Sequence, residues 1–220
     1  MKKMLNTTHL ISLPCLLLLL SCAAAQSPIL DMNYQELQTG VQYHIRSATW
    51  GIHQGDLTAD PDNLDTCPLN VVMASGIPFG LGLPVTFHLA QAPDEARLPV
   101  LTMTDLNIQF VTSSANTSCN DGGVWAIRLV PFLRALGVST GGTLGAAADS
   151  QFQIEPQGAF YKLVYCSRIS TLRVCRDLTI LAGQRLGVNL DPFDSPHALI
   201  VIFQRVEADN ATKIKMPTDN

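Results

Sequence analysis

The chain has 220 residues, 47% hydrophobic and 15% charged, with 14 basic against 18 acidic side chains and a formal net charge of −4. No block of lysine or arginine stands out, so neither a nucleic-acid partner nor attraction to an acidic membrane face is expected. The length is that of one domain large enough to bury its own core.

In chain order, Met1–Ala25 comes first. It has a basic start (Lys2, Lys3), an apolar run around Ile11–Leu20 and the small residues Ala23, Ala24 and Ala25 before Gln26. This predicts a secretory signal peptide, because about ten to twelve apolar residues are too few to span a bilayer. Leu19-Leu20-Ser21-Cys22 loosely resembles a lipoprotein box, but the alanine cleavage site accounts for the same residues. Cleavage removes Cys15, Cys22 and two lysines, leaving 12 basic against 18 acidic residues and a net charge of −6. No second apolar stretch reaches membrane length, so a soluble, secreted (extracellular or vacuolar) protein is expected.

Beyond the leader, helical periodicity is almost absent. Glycine and proline punctuate the chain, and between them lie short runs rich in β-branched and aromatic residues. The strands predicted are Val41–Ile45, Cys67–Met73, Pro84–Leu89, Leu106–Val111, Val124–Val130, Phe152–Glu155, Phe160–Cys166, Leu178–Leu181 and Leu199–Val206. The class is all-β, sandwich or barrel. Three opening runs, Val41–Ile45, Leu106–Phe110 and Tyr161–Tyr165, are each followed by a closing run, Pro84–Phe87, Phe152–Glu155 and Ile200–Phe203. The spacings are 43, 46 and 39 residues. Three such units fit a three-fold barrel better than two stacked sheets. Residues 207–220 carry no strand pattern and read as a polar tail after a domain over 26–206.

Four cysteines remain after the leader: Cys67 and Cys119, 52 positions apart, and Cys166 and Cys175, nine apart. An even count behind a secretion signal reads as a disulfide framework. No C-x-x-C is present for zinc or redox chemistry.

The motifs taken together resemble the plant Kunitz-type (soybean trypsin inhibitor) family, including its miraculin-like members. The resemblance runs through Ile29-Leu-Asp31 with Tyr43-His-Ile45, then Cys67-Pro-Leu-Asn-Val-Val72, Gly82-Leu-Pro-Val-Thr-Phe87 and Thr104–Phe110. It continues through Val124-Trp125, Gly141–Gly145, Phe160–Cys166, Cys175-Arg-Asp177 and Leu199–Val206. It implies a β-trefoil of twelve strands with disulfides Cys67–Cys119 and Cys166–Cys175. In the loop-entropy description these are worth about 4 and about 2.5–3 kcal/mol. It also implies a protease inhibitor, no enzyme itself, whose partner is an endopeptidase and which needs no cofactor; a monomer is expected.

Such an inhibitor presents a loop in the extended form a protease cleft accepts, so docking loses little ordering entropy. The family's loop falls at His88–Pro99, and counting from Gly82–Phe87 puts the contact at Leu89, Ala90 and Gln91 on an exposed tip. Ala90 offers no cation to a trypsin-like pocket, so a serine protease of other specificity or a cysteine protease is the expected target. Arg97 with Leu98 is the second candidate. The family's loop-bracing asparagine falls at Thr39, whose hydroxyl reaches less far and carries fewer donors than an amide.

The remaining constellations read as structure. His44, His53, His88 and His197 lack metal-ligand spacing, so no metal is expected. His44 reads as a half-exposed sheet residue and His88 as a solvated group at the loop's edge. Asp60, Asp62 and Asp65 lack the glycine and glutamate of a calcium loop. Ser75-Gly76 lacks the frame of a nucleophile elbow, and Phe79–Gly82 and Gly141-Gly142 read as turns. Asn116-Thr-Ser118 and Asn210-Ala-Thr212 are glycosylation sequons. A storage, taste-modifying or defence protein without inhibitory activity, or a trefoil lectin, are the alternative functions.

Overall fold

A computed structural model describes residues 26–49, 55–60, 67–74, 82–111, 119, 121–169, 172–190 and 198–207. The expected leader, the tail from 208, both sequons, Trp50, His53, His197, Asp62, Asp65, Ser75-Gly76 and Phe79-Gly80 lie outside them.

Thirteen strands are found among the described residues: β1 Gln42–Ser47, β2 Leu57–Ala59, β3 Val71–Met73, β4 Val85–Leu89, β5 Leu106–Phe110, β6 Ala126–Val130, β7 Ala135–Ser139, β8 Phe152–Gln157, β9 Phe160–Ile169, β10 Leu172–Asp177, β11 Thr179–Ile180, β12 Leu186–Asn189 and β13 Ile200–Arg205. The only helical pieces there are two three-residue 3-10 turns, Pro131–Leu133 and Ala182–Gln184.

The pairing explains the repeat. Strands β9, β13, β1, β4, β5 and β8 lie in that order, and β8 pairs back to β9, closing a six-stranded antiparallel barrel. Its members are the three opening runs (β1, β5, β9) and the three closing runs (β4, β8, β13). Between each opener and closer sits one hairpin: β2–β3, β6–β7 and β11–β12. These hairpins cap one end of the barrel, joined by the β7–β12 pairing and by bridges Asn70↔Ser139 and Val72↔Arg185. Twelve strands in three units make the expected β-trefoil. The additional strand, β10, folds back on β9 as a hairpin.

The period-two pattern fixes which side chains enter. Tyr43 and Ile45, Val85 and Phe87, and Val201 and Phe203 are buried at alternate positions of three neighbouring strands. Two aromatic chains fill the centre: Tyr43–Phe87–Phe203–Tyr161 and Phe110–Trp125–Phe152–Tyr165, with adjacent ring centroids 5.3–6.0 Å apart. Cys67–Cys119 and Cys166–Cys175 are both bonded. The second bond joins directly opposed residues of β9 and β10.

On the outer face of β9, Lys162 lies 2.7 Å from Asp177 and 3.4 Å from Glu155. Burial pulls its ammonium down, but the hydrogen bond and charge of Asp177 and the charge of Glu155 outweigh this and leave its pKa raised. Tyr165 is also raised, by burial and then by the charge of Asp149. Both folded-state values lie above the unfolded ones, so both contributions are present in full below about pH 10 and are lost as pH rises through the folded values. Urea denaturation between pH 8 and 11.5 is expected to show stability falling above about pH 10, with Lys162→Met flattening that limb. An unchanged limb in the variant would remove Lys162 from the explanation.

Candidate functional site: the loop between the fourth and fifth strands

Barrel strands alternate in direction. The β4–β5 connection, the β8–β9 turn and the start of the chain therefore share the end opposite the hairpin cap. The β4–β5 ladder ends at Leu89↔Leu106 and is carried one residue further, where the Ala90 amide donates to the Asp105 carbonyl at 2.9 Å. Ala90 is consequently buried, 2% exposed. This corrects the expectation of an exposed tip at Leu89–Gln91. Leu89 is half-buried on the strand and Ala90 sits at the loop's root; of the three, Gln91 alone is exposed.

The exposed stretch lies further on, at Asp94–Arg97. Turns closed by Ala92 N–H to Leu89 O (3.1 Å) and Glu95 N–H to Ala92 O (3.2 Å) lead into it. Val100, fully buried, ends it. The returning chain lies along the N-terminal segment: Val100 N–H donates to Leu37 O (2.8 Å), Ile29 N–H to Val100 O (2.9 Å) and Thr102 N–H to Ser27 O (2.9 Å).

Thr39 stands beneath the exposed stretch with no surface of its own. Its hydroxyl donates to Glu95 O at 2.8 Å and accepts from Leu98 N–H at 3.1 Å. Its backbone accepts from Arg97 N–H (2.8 Å) and donates to Leu98 O (2.9 Å). One residue thus ties the loop on both sides of Ala96-Arg97. The shorter reach of a hydroxyl is no handicap here, because the loop backbone comes to it. Gly40 follows with φ +69°, and a β-carbon there would sit 3.2 Å from Ala96 Cβ, so glycine serves both the turn and the close approach. Arg97 is exposed with φ +61°, a left-handed backbone uncommon for a residue with a side chain.

His88 is a second anchor and not the solvated residue expected from sequence. It is half-buried, with Nε2 3.0 Å from Thr86 Oγ1 and Nδ1 3.0 Å from the Pro93 carbonyl. A ring protonated on Nδ1 donates to Pro93 and accepts from Thr86. His44 is half-buried on β1, its Nδ1 4.0 Å from the Asp56 carboxylate, which also receives Arg46 at 2.9 Å. No group of three metal-ligating side chains occurs among the described residues, and no helix among them is long and apolar enough to cross a membrane. Trp125 is fully buried and cannot stack on a sugar.

Thr39→Val keeps the shape and removes both side-chain bonds, leaving the Glu95 carbonyl and Leu98 amide without their partner. Hydrogen exchange at the Leu98 amide is expected to quicken by at least tenfold, and nicking within Ala96–Leu98 by a non-target protease to become detectable. Unchanged exchange would show that the backbone bonds alone hold the loop.

The described residues form a capped trefoil with a braced, solvent-facing loop at the end opposite the cap. The family described as trypsin and protease inhibitor, the legume Kunitz type, matches residues 29–205, and the chain belongs to it. The chain is 32% identical over 193 residues to Kunitz trypsin inhibitor 3 of Arabidopsis thaliana, covering 86% of this chain and 82% of that one. It is 34% identical over 170 residues to bark lectin isoform 1 of Crateva tapia, covering 73% and 94%. Among solved structures it resembles the Kunitz-type cysteine protease inhibitor PCPI-3 from potato. The TM-score is 0.63 at 26% identity, over 84% of this chain and all of that one. The Kunitz-type inhibitors among these relatives support protease inhibition in general.

Proposed function

We propose that this protein inhibits a trypsin-like serine endopeptidase through the stretch Glu95–Leu98, with Arg97 entering the primary pocket and Arg97–Leu98 as the bond presented. The carrying observation is the pair of Thr39 bonds on either side of that bond. If the peptide were cleaved, the Arg97 N–H would still be held by Thr39 O, and Leu98 by Thr39 Oγ1 and N–H. Both new ends then stay in register for religation. The expectation of a target other than trypsin rested on Ala90, and burial removes that premise. Arg97 is the one cation in the exposed stretch Asp94–Arg97, and a trypsin-like pocket carries a carboxylate that needs one. Its left-handed backbone must relax to extended on docking, a cost of about 1–2 kcal/mol that sets the affinity below that of an already extended loop.

An inhibition panel of trypsin, subtilisin, elastase and papain tests this. Trypsin is expected to be inhibited, and Arg97→Ala to weaken that inhibition by about 100-fold with an unchanged melting temperature. Undiminished inhibition by Arg97→Ala, or inhibition of papain alone, would overturn the assignment. The same reading takes the protein to be secreted, monomeric, cleaved before Gln26 and glycosylated at Asn116 and Asn210. Mass spectrometry of material from the secretory pathway checks the cleavage and both glycans.

A further inference from the structure

The opposite end of the molecule carries a different constellation. In the cap, Arg128 of β6 lies opposite Gly137 of β7, and Gly137 lies opposite Gly187 of β12. Arg185 precedes β12 and forms an isolated bridge with Val72. Side chains alternate along a strand, so Ser139 shares the face of Gly137, while Val138 between them enters the core. Two arginines therefore flank the middle of β7 from the strands on either side, at a separation of about two strand spacings.

These residues line a cavity of about 280 Å³, walled on its apolar side by Val130, Pro131 and Phe132. Three features mark it as a built site. First, Ser139 is 4% exposed, lines the cavity and carries a hydroxyl with no hydrogen-bond partner, a state that costs free energy. Second, Gly137 has no left-handed backbone to explain it, and a β-carbon there would lie 2.8 Å from Val130 Cγ2 and 3.2 Å from Arg185 Cδ. Glycine makes room here for the Val130 methyl and for the Arg185 stem, which seats that arginine against the strand at the cavity wall. Third, Phe132 is 79% exposed at the rim, an unusual exposure for a large apolar ring.

The charges select the ligand. Arg185 has no acidic partner among the described residues. Arg128 donates from Nη2 to the Gly141 carbonyl at 3.0 Å and its Nη1 lies 3.6 Å from the half-exposed Asp149 carboxylate, so Arg185 is the cation with a guanidinium edge to offer and Arg128 adds charge at the far wall. The chain as a whole is acidic, so an anion is drawn here by local geometry against the overall field. A planar carboxylate matches a guanidinium fork. We propose that this cavity binds a small organic carboxylate with a ring-sized apolar body. The carboxylate lies between Arg185 and Arg128, beside Gly137, and accepts a hydrogen bond from the Ser139 hydroxyl; the body rests on Pro131 and Phe132.

The test uses 3-phenylpropionate titrated into the purified protein, followed by amide chemical shifts and calorimetry. A dissociation constant on the order of 1 mM or tighter suits a ligand of this size, with the largest shifts at Gly137, Ser139 and Arg185. The neutral 3-phenylpropanamide is expected to bind at least tenfold more weakly, and inorganic phosphate likewise. Arg185→Gln is expected to weaken 3-phenylpropionate at least tenfold and Ser139→Ala about threefold, with thermal unfolding unchanged in the first. Equal binding of acid and amide, equal binding of phosphate, or unaltered affinity in Arg185→Gln would each overturn the proposal. Protease inhibition is expected to be unaffected by the ligand, so the outcome is independent of the loop at the other end.

Discussion

Replacing Ala90 by arginine is expected to destabilise the protein by about 3 kcal/mol or more and to leave trypsin inhibition no stronger. A reading from sequence alone predicts the reverse, a gain in trypsin affinity from placing a cation at the tip. The difference lies in one hydrogen bond: the Ala90 amide extends the β4–β5 ladder to Asp105, and its methyl is 2% exposed. A guanidinium there must be desolvated without a partner or must break the last rung to reach water, and both routes are costly. For a domain of this size the melting temperature should fall by about 6–12 °C. A variant that kept its melting temperature and gained trypsin affinity would return the contact to Ala90 and sink the assignment to Arg97.

Phe152→Ala is expected to cost about 3–5 kcal/mol. Phe152 pairs with Leu106 of β5 and with Tyr165 of β9, so it sits where the second unit closes onto the third. Its ring meets Trp125 edge-on at 6.0 Å and Tyr165 at 6.0 Å, with no surface exposed. Truncation leaves a cavity among rigid aromatic neighbours that cannot collapse to fill it. Urea unfolding should show a lower midpoint with an unchanged slope. A loss below about 1 kcal/mol would mean that the centre of the barrel repacks freely.

Much of the fold was legible because it rests on local pattern. Alternation in Val41–Ile45, Leu106–Phe110 and Tyr161–Tyr165 follows from one barrel face being buried, and their spacing to the closing runs follows from three equivalent units. Strands β2, β7, β10 and β12 were missed. Leu57–Ala59 is three residues long, Ala135–Ser139 and Leu186–Asn189 are interrupted by Gly137 and Gly187, and Leu172–Asp177 is largely exposed, so none carries a clear alternating signal.

The site divides in the same way. Composition and spacing determined an all-β chain of three units; motif order carried the family resemblance, and that resemblance implied Thr39 as the residue beneath the loop. Counting forward from Gly82–Phe87, however, put the contact at the loop's root. Nothing in the run from Leu89 to Pro99 signals that the ladder continues through Ala90 or that the tip lies at Asp94–Arg97. That was decided by hydrogen bonds between segments more than 50 positions apart, Thr39 with Glu95 and Leu98. The cavity beside Gly137 is likewise a product of strand register across three elements. Side-chain periodicity is a property of neighbours along the chain and can be read there. Which backbone groups a loop finds, and which two arginines flank one strand, depends on how distant segments close on one another, and only the tertiary structure holds that information.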